Sequence, residues 1–586
     1  MPREPIRIAN CSGFYGDRFS AAREMLEGGP LDVLTGDYLA ELTMFLLWRA
    51  REKDPAGGYA ATFLGQMEDV LGLALERGVR IVANAGGLNP AGLAARLRDL
   101  CARLGLRAAR VAHIEGDDLL PRLPAVQAAG QALAHADTGR PLAEAGGRTV
   151  TANAYLGGWG IAEALRGGAD VVVGGRIADA SLVVGPAAWH FGWARDDWDR
   201  LAGAAVAGHI LECGPQATGG NYAFFTEVPD LRHPGFPIAE VFADGRAVIT
   251  KHPGTGGLVS VGTVTAQLLY EVEGPRYVTP DVVARFDSAV VTPDGPDRVR
   301  ISGTRGHPAP ATSKVGIQLL GGYRNGVTLV LTGLDVDAKA RVAVEALRPV
   351  LDACAQADVQ LLRTDKPNAP ACEEASAFLR LTVKDPDARK VGRAFSGAVV
   401  ELALASYPGF HATGPPEDAS PYGIAWPALV DADLVEEVVV FDDGRRVRVP
   451  APPRAAAPPG LVPEAGVSAP PAGPTRRAPL GAAFGARSGD KGGNANVGVW
   501  ARSDTGYAWL AAQLTVERFK ELVAEAAPLE VRRYLFPNLR AVNFVILGLL
   551  GDGAAASSRL DPQAKGLGEY LRSRLVDLPV SLLEAT

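Results

Sequence analysis

A chain of 586 residues is too long for one hydrophobic core, and 47% hydrophobic with 21% charged residues is the balance of a globular protein of several domains. Its net charge of −7, with no basic block interleaved with aromatics, excludes the electrostatic footprint of a nucleic-acid binder. No uninterrupted apolar run serves as a signal peptide or membrane span, so a cytoplasmic location, no membrane partner and a small-molecule ligand are expected.

From Ile6 to about Asp118 short β-branched runs alternate with amphipathic segments: IRIAN, a helix near Phe19 to Glu27, LDVLTGDY, a long helix from Glu41, VRIVANAG, a further helix and LRAARVAHIEG. The rhythm returns after Arg148 in VTANAYLGG, a helix through Ile161 to Leu165, and ADVVVGGRIADASL. This predicts a mostly parallel α/β body over residues 1–224. Ligands of such sheets bind beyond the carboxyl ends of the strands. The segments there are NCSGFYGDR, TGDYLAE with Asp37, NAGGLNP with Asn84, Gly86 and Gly87, IEGDD, and GGRIADAS with Arg176, Asp179 and Ser181. Glycine permits close backbone approach, and Arg176 can hold a carboxylate or phosphate while Asp179 acts as base or fixes the guanidinium.

Residues 225–448 read as an α+β second domain or extension. FPIAEVFADGRAVIT, GLVSVGTVTAQLLYEV, VTPDVVARF, GVTLVLTGL and VEEVVVFDDGRRVRV are predicted strands, and Asp335 to Cys354 and Gly392 to Ala405 predicted helices. Residues 449–479 are rich in proline and alanine and predict a linker. Residues 480–586 follow a split α/β order, with helices at Val516 to Ala526 and Gly566 to Val576, which suits a ferredoxin-like α+β domain.

Signatures for dinucleotides, P-loops and common hydrolases are missing. Cys11, Cys101, Cys213, Cys354 and Cys372 form no CxxC pair and are odd in number, so reduced thiols are expected rather than disulfides or a zinc ribbon. In HILECGPQATGGNY, His209, Glu212 and Cys213 share a helical face, which suits a thiolate nucleophile beside an imidazole, three metal ligands, or an inert core cysteine. SGTRGHP sets Arg305 and His307 in a turn, with His307 a candidate acid or base. RSGDKGGNANVGV places Asp490, Lys491 and Asn494 around paired glycines at a strand entrance, as a site for an anion or carbonyl; SSRLDPQAKGLGEYL, with Ser558, Arg559, Asp561 and Lys565, is expected beside it.

With these strings in place the chain resembles the AtuA family, named for acyclic terpene utilisation. The resemblance is carried by NCSGFYGDR, TGDYLAELTM, NAGGLNP, GGRIADASL, ECGPQATGGNY and SGTRGHP, and by RSGDKGGNANVGV with LDPQAKGLGEYL. It implies an α/β body with a C-terminal AtuA-like ferredoxin-fold domain, acting in breakdown of acyclic terpenoids through CoA thioesters. It also implies a lyase releasing acetate from a branched 3-hydroxy-3-methylglutaryl-CoA-like thioester, with coenzyme A as part of the substrate. The resemblance brings no catalytic residues with it.

The residues themselves nominate Asp179, His307, Cys213 and Asp490 for catalysis, and Asp37, Asn84, Gly86, Gly87, Arg176, Arg305, Lys491 and Asn494 for binding. A divalent metal is a possible cofactor with ligands unassigned, and a homo-oligomer is expected. Two other readings are a non-catalytic subunit presenting a terpenoid acid or acyl-CoA to partner enzymes, and a Cys213-dependent hydrolase.

Overall fold

The computed structural model describes residues 3–457, 460 and 469–584. Five short apolar runs form the parallel centre of an eleven-stranded sheet: β1 (Ile6–Asn10), β2 (Val33–Gly36), β3 (Arg80–Ala83), β4 (Val111–Glu115) and, after β5 (Arg148–Ala154) has left for another sheet, β6 (Val171–Gly174). Their order is β1-β2-β3-β6-β4. VLTG and VVVG are buried throughout, as strands covered by helices on both faces must be.

The expected boundary at residue 224 does not interrupt this sheet. Strands β7 (Pro237–Val241) and β8 (Ala247–Lys251) continue it antiparallel beyond β1, followed by Val299–Ser302 and Val290–Pro293. On the opposite edge the hairpin Val438–Val440 and Arg446–Arg448 adds to β4. The body is therefore closed by both halves of the first 448 residues, because each edge strand of the parallel centre would otherwise leave its N–H and C=O groups unpaired.

A six-stranded sheet is built around the 21-residue strand Thr312–Thr332, which pairs with β5, Ser376–Asp385, His411–Ala412 and Ser420–Asp431. Helices Val336–Asp352 and Phe395–Glu401 cover it, close to the predicted helical segments.

GLVSVGTVTAQLLYEV, predicted as a strand, contains the helix Val261–Leu268 instead. Ser260 Oγ accepts from Thr263 N at 3.2 Å, and Thr263 Oγ1 accepts from Ser260 N at 3.0 Å. This reciprocal cap satisfies two orphan N–H groups and overrides the β-branched alternation. The last predicted helix also ends early: Leu567–Ser573 is helical, whereas Val576 lies in strand Leu575–Pro579, paired with Thr475–Pro479. Both ends of the expected linker are thus docked, the other through Arg454–Ala455 against Ala309–Pro310; residues 458–459 and 461–468 lie outside the described residues.

The C-terminal part is a four-stranded antiparallel sheet in the order Phe484–Lys491, Asn494–Ala501, Ala541–Ile546, Val531–Phe536, with a core of its own that includes Phe484, Leu510, Phe519 and Phe544. Its other face is pressed onto the body: Trp500, Phe536, Leu539 and Ala541 belong to the body's core. A Cβ on Gly498 would stand 2.5 Å from that of Leu269, so only glycine lets the sheet approach this closely. Asn496 fixes the contact, donating to Leu269 O and Asn543 Oδ1 at 2.7 Å each and accepting from Glu271 N at 2.9 Å.

Candidate functional site

The helix Trp198–Glu212 runs beneath the carboxyl ends of the parallel strands, and Asn10 at the end of β1 donates through Nδ2 to Glu212 O at 3.2 Å. This anchors the Glu212 side chain beside the turns that follow β2 and β6. Asn10, Thr35, Asp37, Asp179, Leu182 and Glu212 line the resulting cleft, whose free volume is about 10 Å³. That is room for a single water molecule, so a larger ligand enters only as the walls part.

Asp37 and Asn84 meet directly: Asn84 Nδ2 donates to Asp37 Oδ1 at 2.6 Å, and Asn84 Oδ1 accepts from Tyr38 N at 2.8 Å. Burial pushes the Asp37 carboxyl well above the usual carboxylate range, and the nearby Asp179 carboxylate pushes it further. Oδ1 also accepts from Leu39 N at 3.2 Å, so Oδ2 is the oxygen better placed to take up a proton. Arg176, with a side chain 6% exposed, donates to Asp179 Oδ1 at 2.6 Å and to Ile177 O at 3.0 Å. Its backbone N–H donates to Asp117 Oδ2 at 2.9 Å, which holds the GGR turn. The guanidinium lies 4.2 Å from the centre of the Tyr155 ring, and Lys314 Nζ lies 5.0 Å from the same centre, so two cations share one aromatic face system.

Burial likewise raises the Glu212 carboxyl, an effect opposed first by His209, whose Nδ1 lies 3.0 Å from Oε1, and more weakly by Lys491 of the C-terminal domain. The Lys491 charge thus acts on Glu212 from across the domain boundary, although Lys491 does not itself line the cleft. Asp490, next to it in the chain, lies in a half-buried network: Lys565 Nζ lies 3.3 Å from Asp490 Oδ1 and 3.0 Å from Glu271 Oε1, and also bonds Tyr270 Oη, while Arg487 stacks 4.5 Å from the Tyr270 ring centre. Burial and Glu271 raise Asp490 to about 6 against the pull of Lys565. The expected neighbour segment SSRLDPQAKGLGEYL does supply Lys565.

Several nominated residues have other work. Gly86 N donates to Gly174 O at 2.9 Å, and a Cβ there would lie 2.5 Å from that oxygen; Gly87 has φ +52° and abuts Leu47 and Gly58. Their glycines join strand ends to each other, so the close backbone approach is to protein. Asn494 is 4% exposed and fully engaged, donating to Asp137 Oδ1 at 3.0 Å and accepting from Gly548 N at 2.9 Å. The Cys213 thiol is pushed well above its ordinary value by burial and then by Glu212 and Glu271, the reverse of what an activated thiolate requires.

Arg305 and His307 are at the other end of the helix Trp198–Glu212, about 20 Å away over its fifteen residues. Strand Arg305–His307 pairs with Val283–Arg285, and Asp199 accepts from Gly306 N at 2.9 Å and from Arg305 Nη1 at 2.8 Å. SGTRGHP therefore closes the start of the helix instead of contributing to the cleft. A larger hollow of about 390 Å³ opens there, but its guanidinium groups are each matched by an aspartate on the surface: Arg305 by Asp199, Arg246 by Asp244, and Arg300 by Asp294 just beyond the hollow.

Tyr155, Lys314, Glu271 and Tyr270 were absent from the sequence reading, whereas Glu212 entered it only beside His209 and Cys213, and Lys565 only as a neighbour of RSGDKGGNANVGV. Tyr155 stands at the end of VTANAYLGG and could have been found as a strand-end residue; Lys314 lies inside a long strand 138 residues beyond Arg176 and carries no local signal. Among the described residues no three His, Cys, Asp or Glu side chains are grouped as metal ligands, and no helix is long and apolar enough to cross a membrane.

No curated protein matches this chain. The family model described as acyclic terpene utilisation family protein AtuA matches residues 6–441, and that of the AtuA ferredoxin-like domain matches residues 479–577. The glycine-rich strand ends at the cleft and the small domain docked onto the body both lie within these matches, and the chain belongs to the acyclic terpene utilisation AtuA family.

Proposed function

We propose that the protein is a lyase of acyclic terpenoid breakdown that cleaves a branched 3-hydroxy-3-methylglutaryl-CoA-like thioester and releases acetate. The observation that carries this reading is the pairing, in one cleft, of two buried carboxyl groups raised above the ordinary range, Asp37 and Glu212, beside the buried Arg176 guanidinium. Cleavage of a 3-hydroxy acid needs a base for the hydroxyl, an acid for the departing carbon and a cation for the free carboxylate.

Glu212 takes the proton of the 3-hydroxyl. The C2–C3 bond then breaks, the oxygen's electron pair forms the ketone at C3, and the bond pair moves to C2 as the enediolate of acetate. Asp37 gives its proton to C2, and a proton passing from Glu212 to Asp37 restores both groups. Arg176, already oriented by Asp179 and Tyr155, holds the carboxylate whose charge grows as the bond breaks, and Lys491 closes over it from the small domain. Because the closed cleft holds no more than a water, binding requires that the Lys565, Glu271 and Asp490 clasp open and re-form around the ligand.

Burying this many ionisable groups opposes folding, which favours a catalytic reading over that of a passive binding subunit. The raised Cys213 thiol weighs against a cysteine-dependent hydrolase. Incubating the purified chain with a panel of branched 3-hydroxyglutaryl thioesters tests the proposal: free acetate with a 3-oxoacyl-CoA product is expected, whereas free CoA with intact acyl chains would assign a hydrolase and no product would remove the enzymatic reading.

A further inference from the structure

The helix that brings Glu212 to the cleft carries His209 one turn earlier, and the two side chains are 1% and 8% exposed. His209 Nε2 is 3.0 Å from the backbone carbonyl of Gln267. A carbonyl oxygen only accepts, so Nε2 carries a hydrogen. The Gln267 side chain returns the contact, donating through Nε2 to His209 O at 3.1 Å, and the imidazole packs against the stacked rings of Tyr277 and Phe286, with ring centres at 4.9 and 5.2 Å. The ring is therefore fixed in tautomer and in orientation.

Its other nitrogen, Nδ1, is buried without a well-directed hydrogen bond, and Glu212 Oε1 stands 3.0 Å from it. A neutral Nε2–H imidazole and a carboxylate would leave two acceptors facing each other at that distance inside the protein. A proton between them, on the nitrogen or on the oxygen, relieves this once the pair aligns. The second carboxyl oxygen, Oε2, faces Tyr277 Oη at 3.5 Å and is the one left for the cleft. The charged and titratable groups around the pair are Tyr277, Cys213, Asp37 and Asp179 from the body and Lys491 from the small domain.

We infer that His209 is a positioning residue and the terminal proton acceptor behind Glu212: a proton taken from the ligand at Oε2 is matched by transfer of the Oε1 proton to Nδ1. The pair then changes from carboxylic acid with neutral imidazole to carboxylic acid with imidazolium, one proton gained and none lost. The positive charge so formed is opposed by the Asp179 carboxylate, and the reverse transfer returns the proton for protonation of the leaving carbon through Asp37. This rests on the proposed reading of Glu212 as base, but the proton arrangement itself is independent of which ligand the cleft takes.

The test uses the full chain labelled with 15N in its eight histidines, compared with His209→Gln to assign the ring and with Glu212→Gln to remove the partner. Between about pH 9 and about pH 5, Nε2 of His209 should stay protonated while Nδ1 moves toward the protonated position, and in Glu212→Gln the Nδ1 signal should stop moving. A bare Nε2, or the same Nδ1 behaviour in Glu212→Gln as in the unaltered protein, would overturn the inference. Should His209→Gln not fold, the ring whose Nδ1 responds to Glu212→Gln identifies His209. With a turned-over substrate, His209→Gln should lower kcat about tenfold or more with KM within about twofold and should move the acid limb of the pH profile, whereas an unchanged profile and kcat would leave no relay. The labelled-histidine result stands if the lyase reaction fails, and a lyase without the shared proton would discard only the relay.

Discussion

The two ends of the helix Trp198–Glu212 are each surrounded by glycine-rich loops bearing arginine, aspartate and histidine, yet they are physically unlike. At the start, Arg305 and Asp199 are 71% and 50% exposed, and the ion pair is screened by water. At the finish, His209, Glu212, Arg176 and Asp37 are buried, and burial with the neighbouring charges shifts the carboxyl groups of Asp37 and Glu212 upward. Similar residue types acquire chemistry at one end because solvent has been removed, and remain a surface cap at the other because it has not.

The comparison breaks most sharply at Asp37. Asp37→Asn should lower kcat by about 10² to 10⁴ while preserving the bond from Asn84, whereas His307→Gln should leave turnover unchanged; equal effects in steady-state assays would erase the difference between the ends. Next in size is the cover itself. Asn496→Ala removes three buried hydrogen bonds at the domain contact and should cost about 3 kcal/mol or more, read as a separate, earlier melting transition of the C-terminal domain.

A third test separates burial from chemistry. Asp281 is buried in the body, where its carboxyl accepts from Gly158 N at 2.9 Å and Ser181 Oγ at 2.6 Å, and burial raises it from 3.8 to about 6. The folded protein therefore holds this proton more tightly than the unfolded chain. Its contribution is fully present below pH 3.8 and is lost as pH rises towards and through about 6, on the order of 3 kcal/mol, which Asp281→Asn should flatten in urea titrations without altering turnover. The smallest effect belongs to the exposed end: Arg305→Met should change stability by less than about 1 kcal/mol, with no kinetic consequence.

Much of the α/β body was legible, since its strand cores are continuous apolar runs and its strand-end loops are polar and glycine-rich. Arg176, Asp179, Asp37 and Asn84 were nominated from position after a strand, and they stand close to one another at the strand ends. What failed did so for local reasons: a capping box turned an alternating β-branched segment into a helix, and strands more than 200 residues downstream completed the first sheet. SGTRGHP and RSGDKGGNANVGV both combine charge with glycine, and tertiary docking separates a cap on the body from a segment of the domain contact. Gly498 and Gly489 of the latter are required by Leu269 and Tyr270 of the body, a constraint with no signature in either segment alone.

The central claim is that the C-terminal domain completes the cleft through Lys491, and its replacement by Met is the most direct measurement. Steady-state cleavage of a branched 3-hydroxyglutaryl thioester by Lys491→Met should show kcat/KM lowered by about 1.5 to 3 kcal/mol, the scale of a charge-assisted hydrogen bond, at an unchanged melting temperature. Full activity in Lys491→Met would contradict the account and confine the site to the body.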